Sequence, residues 1–227
     1  VGFAIGAALA ENDINDGSIT MGETKISSSE VPIRRVYLEP AHCAPTAEAL
    51  RAIQEADAIV LGPGSLYTSI IPNLLVSGIA QAVIQSKALK IYVCNVMTQH
   101  RETTGFTASD HVRALVAHTN PGILHLSIVN TKSIPEAMLE KYREERAVAV
   151  DPDVERIREL GYQVVADEVI NIDNVVRHNP EKLAQLIIHL TAGLRRMSSL
   201  AQAARHEHGG SRAAADGHDA AAPAAQS

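Results

Sequence analysis

The 227-residue sequence contains no tryptophan, two phenylalanines and five tyrosines. An aromatic-rich core is therefore excluded, and the interior must be mainly Ile, Val, Leu and Ala. Cysteine is almost as scarce. Cys43 and Cys94 form neither a disulfide framework nor a zinc-ligand spacing, which points to a reducing, cytoplasmic setting. No apolar run reaches membrane-spanning length and no signal-peptide pattern is visible, so membrane insertion is not expected. Basic clusters are missing too. The formal net charge of −6 argues against a nucleic-acid partner. There is no initiator methionine and the chain opens in mid-pattern, which suggests a fragment or processed chain. What remains is a composition suited to a globular fold, with 46% hydrophobic residues to fill a core.

One stretch organises the rest: Asp57-Ala58-Ile59-Val60-Leu61-Gly62-Pro63-Gly64-Ser65-Leu66-Tyr67-Thr68-Ser69. Ala58 to Leu61 is short, aliphatic and closed by glycine, and reads as a strand buried on both faces. Glycine permits a tight turn and close backbone approach to a ligand, while proline fixes φ and removes a donor. Hydroxyls follow at Ser65, Thr68 and Ser69, and then an apolar helical pattern. Strand, glycine turn, hydroxyls and helix start is the order in which open α/β sheets bind phosphates and nucleotides at strand carboxyl ends. The loop lacks the lysine of a Walker A loop and does not match G-x-G-x-x-G. A structural strand-to-helix turn is the competing reading.

Residues 1–40 read as a β-rich patch. Asn15-Asp16-Gly17-Ser18 is a hairpin signal, with strands over Ile19–Ile26 and Ile33–Leu38. Thr46 N-caps a helix over Ala47–Ala56. Further helices are expected over Gly78–Ser86, from Ser109-Asp110, over Pro135–Glu145, Asp153–Leu160 and Lys182–Leu194. Strands are expected over Lys90–Asn95, Leu124–Val129, Ala147–Val150 and Gln163–Ala166. Strands alternating with helices imply βαβ units and a parallel sheet, a Rossmann-like three-layer α/β/α fold with a small β-rich N-terminal patch. Two strand ends run into polar loops on what should be one edge, which is the case for a single crevice. A single domain is expected over residues 1–197. From about Ser198 the composition shifts to Ala, Gly, His, Arg and Asp, which reads as a disordered tail over 198–227.

The glycine stretch, with Ile71-Pro72-Asn73-Leu74-Leu75-Val76, Tyr92-Val93-Cys94-Asn95-Val96-Met97-Thr98-Gln99, Gly105-Phe106-Thr107-Ala108-Ser109-Asp110-His111-Val112 and Val176-Arg177-His178, carries a resemblance. Over roughly residues 20–195 the chain resembles the YvcK-type gluconeogenesis factor family. That is the bacterial branch of a superfamily shared with 2-phospho-L-lactate transferase (CofD). The resemblance implies a cytoplasmic bacterial protein needed for growth on gluconeogenic carbon and for normal cell shape and wall synthesis. It implies a ligand such as UDP-N-acetylglucosamine or a dinucleotide, with no required cofactor. Magnesium enters only under the transferase alternative. A cell-wall precursor enzyme and a second copy of the chain are the protein partners expected. The family's first strand leads into a Gly-Gly-Gly-Thr-Gly-type loop that this sequence does not contain. The expectation is half a nucleotide site and an uncovered sheet edge.

Within that frame Gly62, Gly64, Ser65 and Leu66 are ligand-loop candidates through backbone N–H groups and a hydroxyl near phosphate. Tyr67 and Thr68 are placed to touch ribose or sugar, with packing as the alternative for Tyr67. Asn95 ends a strand, where it reads a base or hydroxyl or else caps the strand. Thr98 and Gln99, with Glu102 and Thr103, form a polar loop suited to sugar recognition. Asp110 and His111 invite a catalytic role, but an N-cap pair is the plainer reading. Arg177 is a pyrophosphate ligand or a surface ion pair. Tyr142 stacks a base or lies on a solvated face.

Overall fold

Short aliphatic runs closed by glycine or asparagine form the strands, and amphipathic segments between them cross back as helices. In the computed structural model, residues 7–12, 19–21 and 33–210 are described. The N-terminal patch is a three-stranded antiparallel sheet of order β2-β1-β3, with β1 Ala7–Asn12, β2 Ile19–Met21 and β3 Ile33–Glu39. The antiparallel register Leu9↔Met21 to Glu11↔Ile19 is the pairing a hairpin makes. The Asn15–Ser18 turn signal itself lies outside the described residues, as does the expected strand beyond Met21. Helix α1 (Ala47–Glu55) is capped by Thr46, whose hydroxyl accepts from the Ala49 N–H at 3.2 Å.

The central sheet has β4 (Ala58–Leu61), β5 (Leu89–Val93), β6 (Leu126–Asn130) and β7 (Gln163–Asp167), in that order and all parallel. A π-helical turn (Leu66–Ile70) and helices α2 (Ile71–Leu75) and α3 (Ile79–Gln85) connect β4 to β5. Helix α4 (Ala108–His118) leads to β6, and α5 (Glu136–Glu144) and α6 (Val154–Glu159) lead to β7. A hairpin, β8 (Ile170–Ile172) and β9 (Val176–His178), precedes α7 (Pro180–Gly210). This is the Rossmann-like α/β fold with a mainly parallel sheet. Every residue of β5 is buried, as befits a central strand covered by helices on both faces.

The elements differ from expectation in a few places. β4 is not buried on both faces, because Val60 is 39% exposed. Among the described residues β4 has one neighbour, β5, so its other edge lacks the cover that β5 enjoys. The strand expected over Ala147–Val150 reduces to a single bridge, Met97↔Ala149, too short to form a ladder. Helix α7 extends past Leu194 to Gly210, so residues 198–210 are helical; the Ala-rich run there has high helix propensity without an apolar stripe. Residues 211–227 lie outside the described residues. The chain divides into two compact units, residues 1–184 and 185–227. No single helix among the described residues is long and apolar enough to cross a membrane.

Candidate functional site

The turn after β4 is built by its glycines unequally. Gly62 has φ +83°, and a Cβ there would lie 3.0 Å from both Ile70 Cδ1 and the Val93 carbonyl oxygen. Only glycine fits both the backbone and the space. Gly64 has room, since its nearest neighbour would be Ser69 Cβ at 3.6 Å. The following π turn drives Leu66, Tyr67 and Ile70 into the core. Tyr67 packs edge-on against Phe106 and His118, with centroids 6.3 and 5.6 Å apart. Burial, followed by the charges of Glu102 and Asp110, raises its phenol to about 12, so it stays protonated.

A second loop, from the end of β5, is tied to this turn by side chains. The Gln99 amide donates to Ser65 Oγ at 2.6 Å. Asn95 Oδ1 accepts from the Gly64 N–H at 3.4 Å, and Asn95 Nδ2 reaches Gln99 Oε1 at 3.5 Å. Thr68 donates to Glu102 at 3.4 Å. Gly64, Ser65, Asn95 and Gln99 are thus one hydrogen-bonded group, and Thr68 pairs separately with Glu102. Thr98 is buried and works locally: its hydroxyl accepts from the Val148 N–H at 2.9 Å while its own N–H donates to Val148 O at 2.8 Å.

Helix α4 begins with its donors already satisfied. Thr107 is its N-cap, in a full capping box with Asp110. Asp153 accepts from the Ser109 N–H at 2.8 Å and from the Ser109 hydroxyl at 2.6 Å. Two carboxylates occupy the positive end of the helix dipole, which leaves no vacancy for a phosphate. The Asp110 carboxyl is held below its usual range: burial opposes this, but Thr107 and Arg113 bonds outweigh it. His111 is buried, its Nδ1 bonded to Thr107 O at 2.8 Å, and burial depresses its pKa. Asp110 and His111 are therefore helix-start residues, and the cap is Thr107 rather than Ser109 or Asp110.

Two cavities open along the carboxyl ends of the strands and share Asn95 and Val96. One, of about 360 Å³, brings Asn95, Tyr142 and Arg177 together with Pro63 and His178. The Tyr142 hydroxyl accepts from the Val176 N–H at 2.9 Å, which pins the ring beside Arg177. Arg177 is exposed and makes no ion pair among the described residues. His178 Nε2 lies 3.2 Å from Cys94 O, and burial depresses the pKa of its imidazole against the opposing effect of that bond. The second cavity, about 290 Å³, lies beyond Asn95 and is lined by Lys132, Ser133 and Asp151 among others. Sequence reasoning passed over these three. The signal was present in Asn130-Thr131, a polar strand end like Asn95. Of the residues singled out from the sequence only Asn95, Tyr142 and Arg177 line these cavities; Gly62, Gly64, Ser65, Leu66, Tyr67, Thr68, Thr98 and Gln99 line neither, and Leu66, Tyr67 and Thr98 are buried.

The sequence profile of the family described as 2-phospho-L-lactate transferase CofD matches residues 9–170. The chain is 43% identical over 179 residues to a gluconeogenesis factor of Bacillus subtilis, covering 78% of this chain and 56% of that protein. It is equally identical over 181 residues to a gluconeogenesis factor of Halalkalibacterium halodurans, covering 79% and 56%. Among solved structures it superposes on protein BH3568 from Bacillus halodurans with a TM-score of 0.77 and 43% identity, covering 80% of this chain and 58% of that one. The chain spans little more than half the length of these relatives.

Proposed function

The chain belongs to the 2-phospho-L-lactate transferase CofD family, and from that premise we propose that it is a non-catalytic binder of a nucleotide sugar of the UDP-N-acetylglucosamine type. In this reading it is a cytoplasmic regulator that couples growth on gluconeogenic carbon to cell shape and cell-wall precursor synthesis, acting on a precursor enzyme as partner. The name gluconeogenesis factor, carried by its relatives, supports the physiological half of the proposal. The observation that carries the ligand half is Arg177. Its guanidinium borders a cavity with Asn95 and the pinned Tyr142, next to Pro63 of the glycine turn, and no carboxylate lines that cavity. A planar cation that makes no ion pair among the described residues suits a pyrophosphate, which it grips with two parallel hydrogen bonds.

The test is titration calorimetry with UDP-N-acetylglucosamine, beside GDP and NADP, with and without magnesium. Micromolar binding of the UDP-sugar that is indifferent to magnesium is the expected result. Magnesium-dependent binding of GDP would replace the regulator with a transferase of the 2-phospho-L-lactate type.

A further inference from the structure

The second cavity differs in chemistry from the one that holds Arg177, although the two meet at Asn95. The cavity shared by Asn95 and Arg177 has a permanent cation and no acid in its lining, while on its other side Arg177 borders a pocket with Glu145. The wall beyond Asn95 carries one acid, Asp151, and one base, Lys132, together with the Ser133 hydroxyl. No ion pair joins Lys132 to Asp151, so neither head neutralises the other directly. Asn130 does not serve as a reader. Its amide donates to Lys132 O at 2.9 Å and accepts from the Lys132 N–H at 3.3 Å, a closed turn that fixes where Lys132 begins. One Asp151 oxygen accepts from the Asp153 N–H at 3.1 Å, which anchors the carboxylate. The rest of the wall includes Ile134 and Leu139.

We propose that the cavity bounded by Asn95, Lys132, Ser133 and Asp151 is a separate subsite for the uncharged, hydroxylated ring that lies beyond the phosphates of the ligand. The assignment rests on the nucleotide-sugar reading above. A phosphate here would meet the Asp151 carboxylate as well as the Lys132 ammonium, whereas the cavity that Arg177 shares with Asn95 has a cation and no acid in its lining. A hydroxyl both donates and accepts, so it satisfies a carboxylate acceptor and an ammonium donor at once. The aliphatic wall accommodates the C–H face of a ring, in the usual mix of apolar lining and a few orienting polar groups. Asn95, at the junction, spans both parts of one ligand.

The experiment is calorimetry of the full chain with UDP and with UDP-N-acetylglucosamine, for the wild type, Asp151→Asn and Lys132→Met. Melting curves accompany each variant, since Asp151→Asn keeps the oxygen that serves Asp153. The wild type is expected to bind the sugar conjugate more tightly than UDP. Each variant should lose about ten- to hundredfold in affinity for the conjugate, the range set by one charge-assisted hydrogen bond. The ratio of the two affinities then collapses, with UDP binding unchanged. Equal wild-type affinities for UDP and the conjugate would overturn the sugar subsite and leave the nucleotide site standing. A ratio that survives both substitutions in well-folded protein would overturn it as well. Binding of neither ligand by the wild type would overturn the nucleotide-sugar reading and this subsite with it.

Discussion

The glycine turn after β4 and the wall at the end of β6 are the same topological feature, a strand end on the carboxyl edge of one parallel sheet, yet they are built in opposite ways. The turn is conspicuous in sequence and tightly packed: a Cβ on Gly62 would lie 3.0 Å from Ile70 Cδ1 and the Val93 carbonyl oxygen, and Leu66, Tyr67 and Ile70 are buried behind it. The wall of Asn130, Lys132 and Ser133 is plain in sequence and lines about 290 Å³ of open space. Glycine becomes obligatory where backbone approaches backbone. Space for a ligand arises where polar loops of neighbouring strands part. A motif therefore marks the scaffold of a crevice more firmly than it marks the part that touches the ligand.

The sharpest way to break this contrast is Gly62→Ala. A left-handed φ together with the carbonyl at 3.0 Å predicts a loss of about 2–4 kcal/mol in urea unfolding. A neutral result would mean that the turn is looser than its geometry. Arg177→Ala comes next. It should weaken binding of the UDP-sugar by about 1.5–3 kcal/mol by calorimetry without altering the melting temperature, because the side chain is exposed and makes no ion pair among the described residues. Asp153→Ala removes the carboxylate that caps α4 through Ser109, and should cost about 1–2 kcal/mol of thermal stability.

The expected effect of pH is smaller and spread over several histidines. His111, His118 and His178 are all depressed by burial. His118 is also held neutral by geometry, since its Nε2 accepts from the Val36 N–H at 3.1 Å and a proton there would break the bond. A depressed folded pKa means that the unfolded chain takes up protons first. The stability from these groups is complete above about pH 6.5 and declines as pH falls through that value toward the folded pKa values. The melting temperature should drop between about pH 7 and pH 5, and His118→Gln should flatten part of that drop. The smallest effect belongs to Gly64→Ala, where the new Cβ makes ordinary contacts. Stability should stay within about 0.5 kcal/mol, which sets Gly64 apart from Gly62.

The alternation of aliphatic runs and amphipathic segments made the parallel sheet and most of its helices legible, because periodicity follows burial on each face. Val60 was misread because four aliphatic residues look alike whether a strand has two neighbours or one. The extent of α7 was missed because Ala-rich sequence satisfies a helix without showing an apolar stripe. Within the site, Asn95 was legible as the polar end of a short strand and Arg177 as a cation beside His178, ahead of a Pro-started helix. Their meeting with Tyr142 depends on the β8–β9 hairpin folding back onto α5, which no local pattern encodes. Lys132 and Asp151 lie 19 positions apart across α5, and neither sits in a recognisable motif. The α4 cap was half legible. Thr107 and Asp110 have capping-box spacing, but Asp153 arrives from a distant loop.

The central claim is that Arg177 receives the phosphates of a nucleotide sugar in the crevice centred on Asn95. Its most direct test is the dissociation constant of UDP-N-acetylglucosamine for the wild type and for Arg177→Ala, measured side by side by calorimetry. The account predicts micromolar binding by the wild type and at least about tenfold weaker binding by the variant. Equal dissociation constants, or no binding by the wild type, would contradict it.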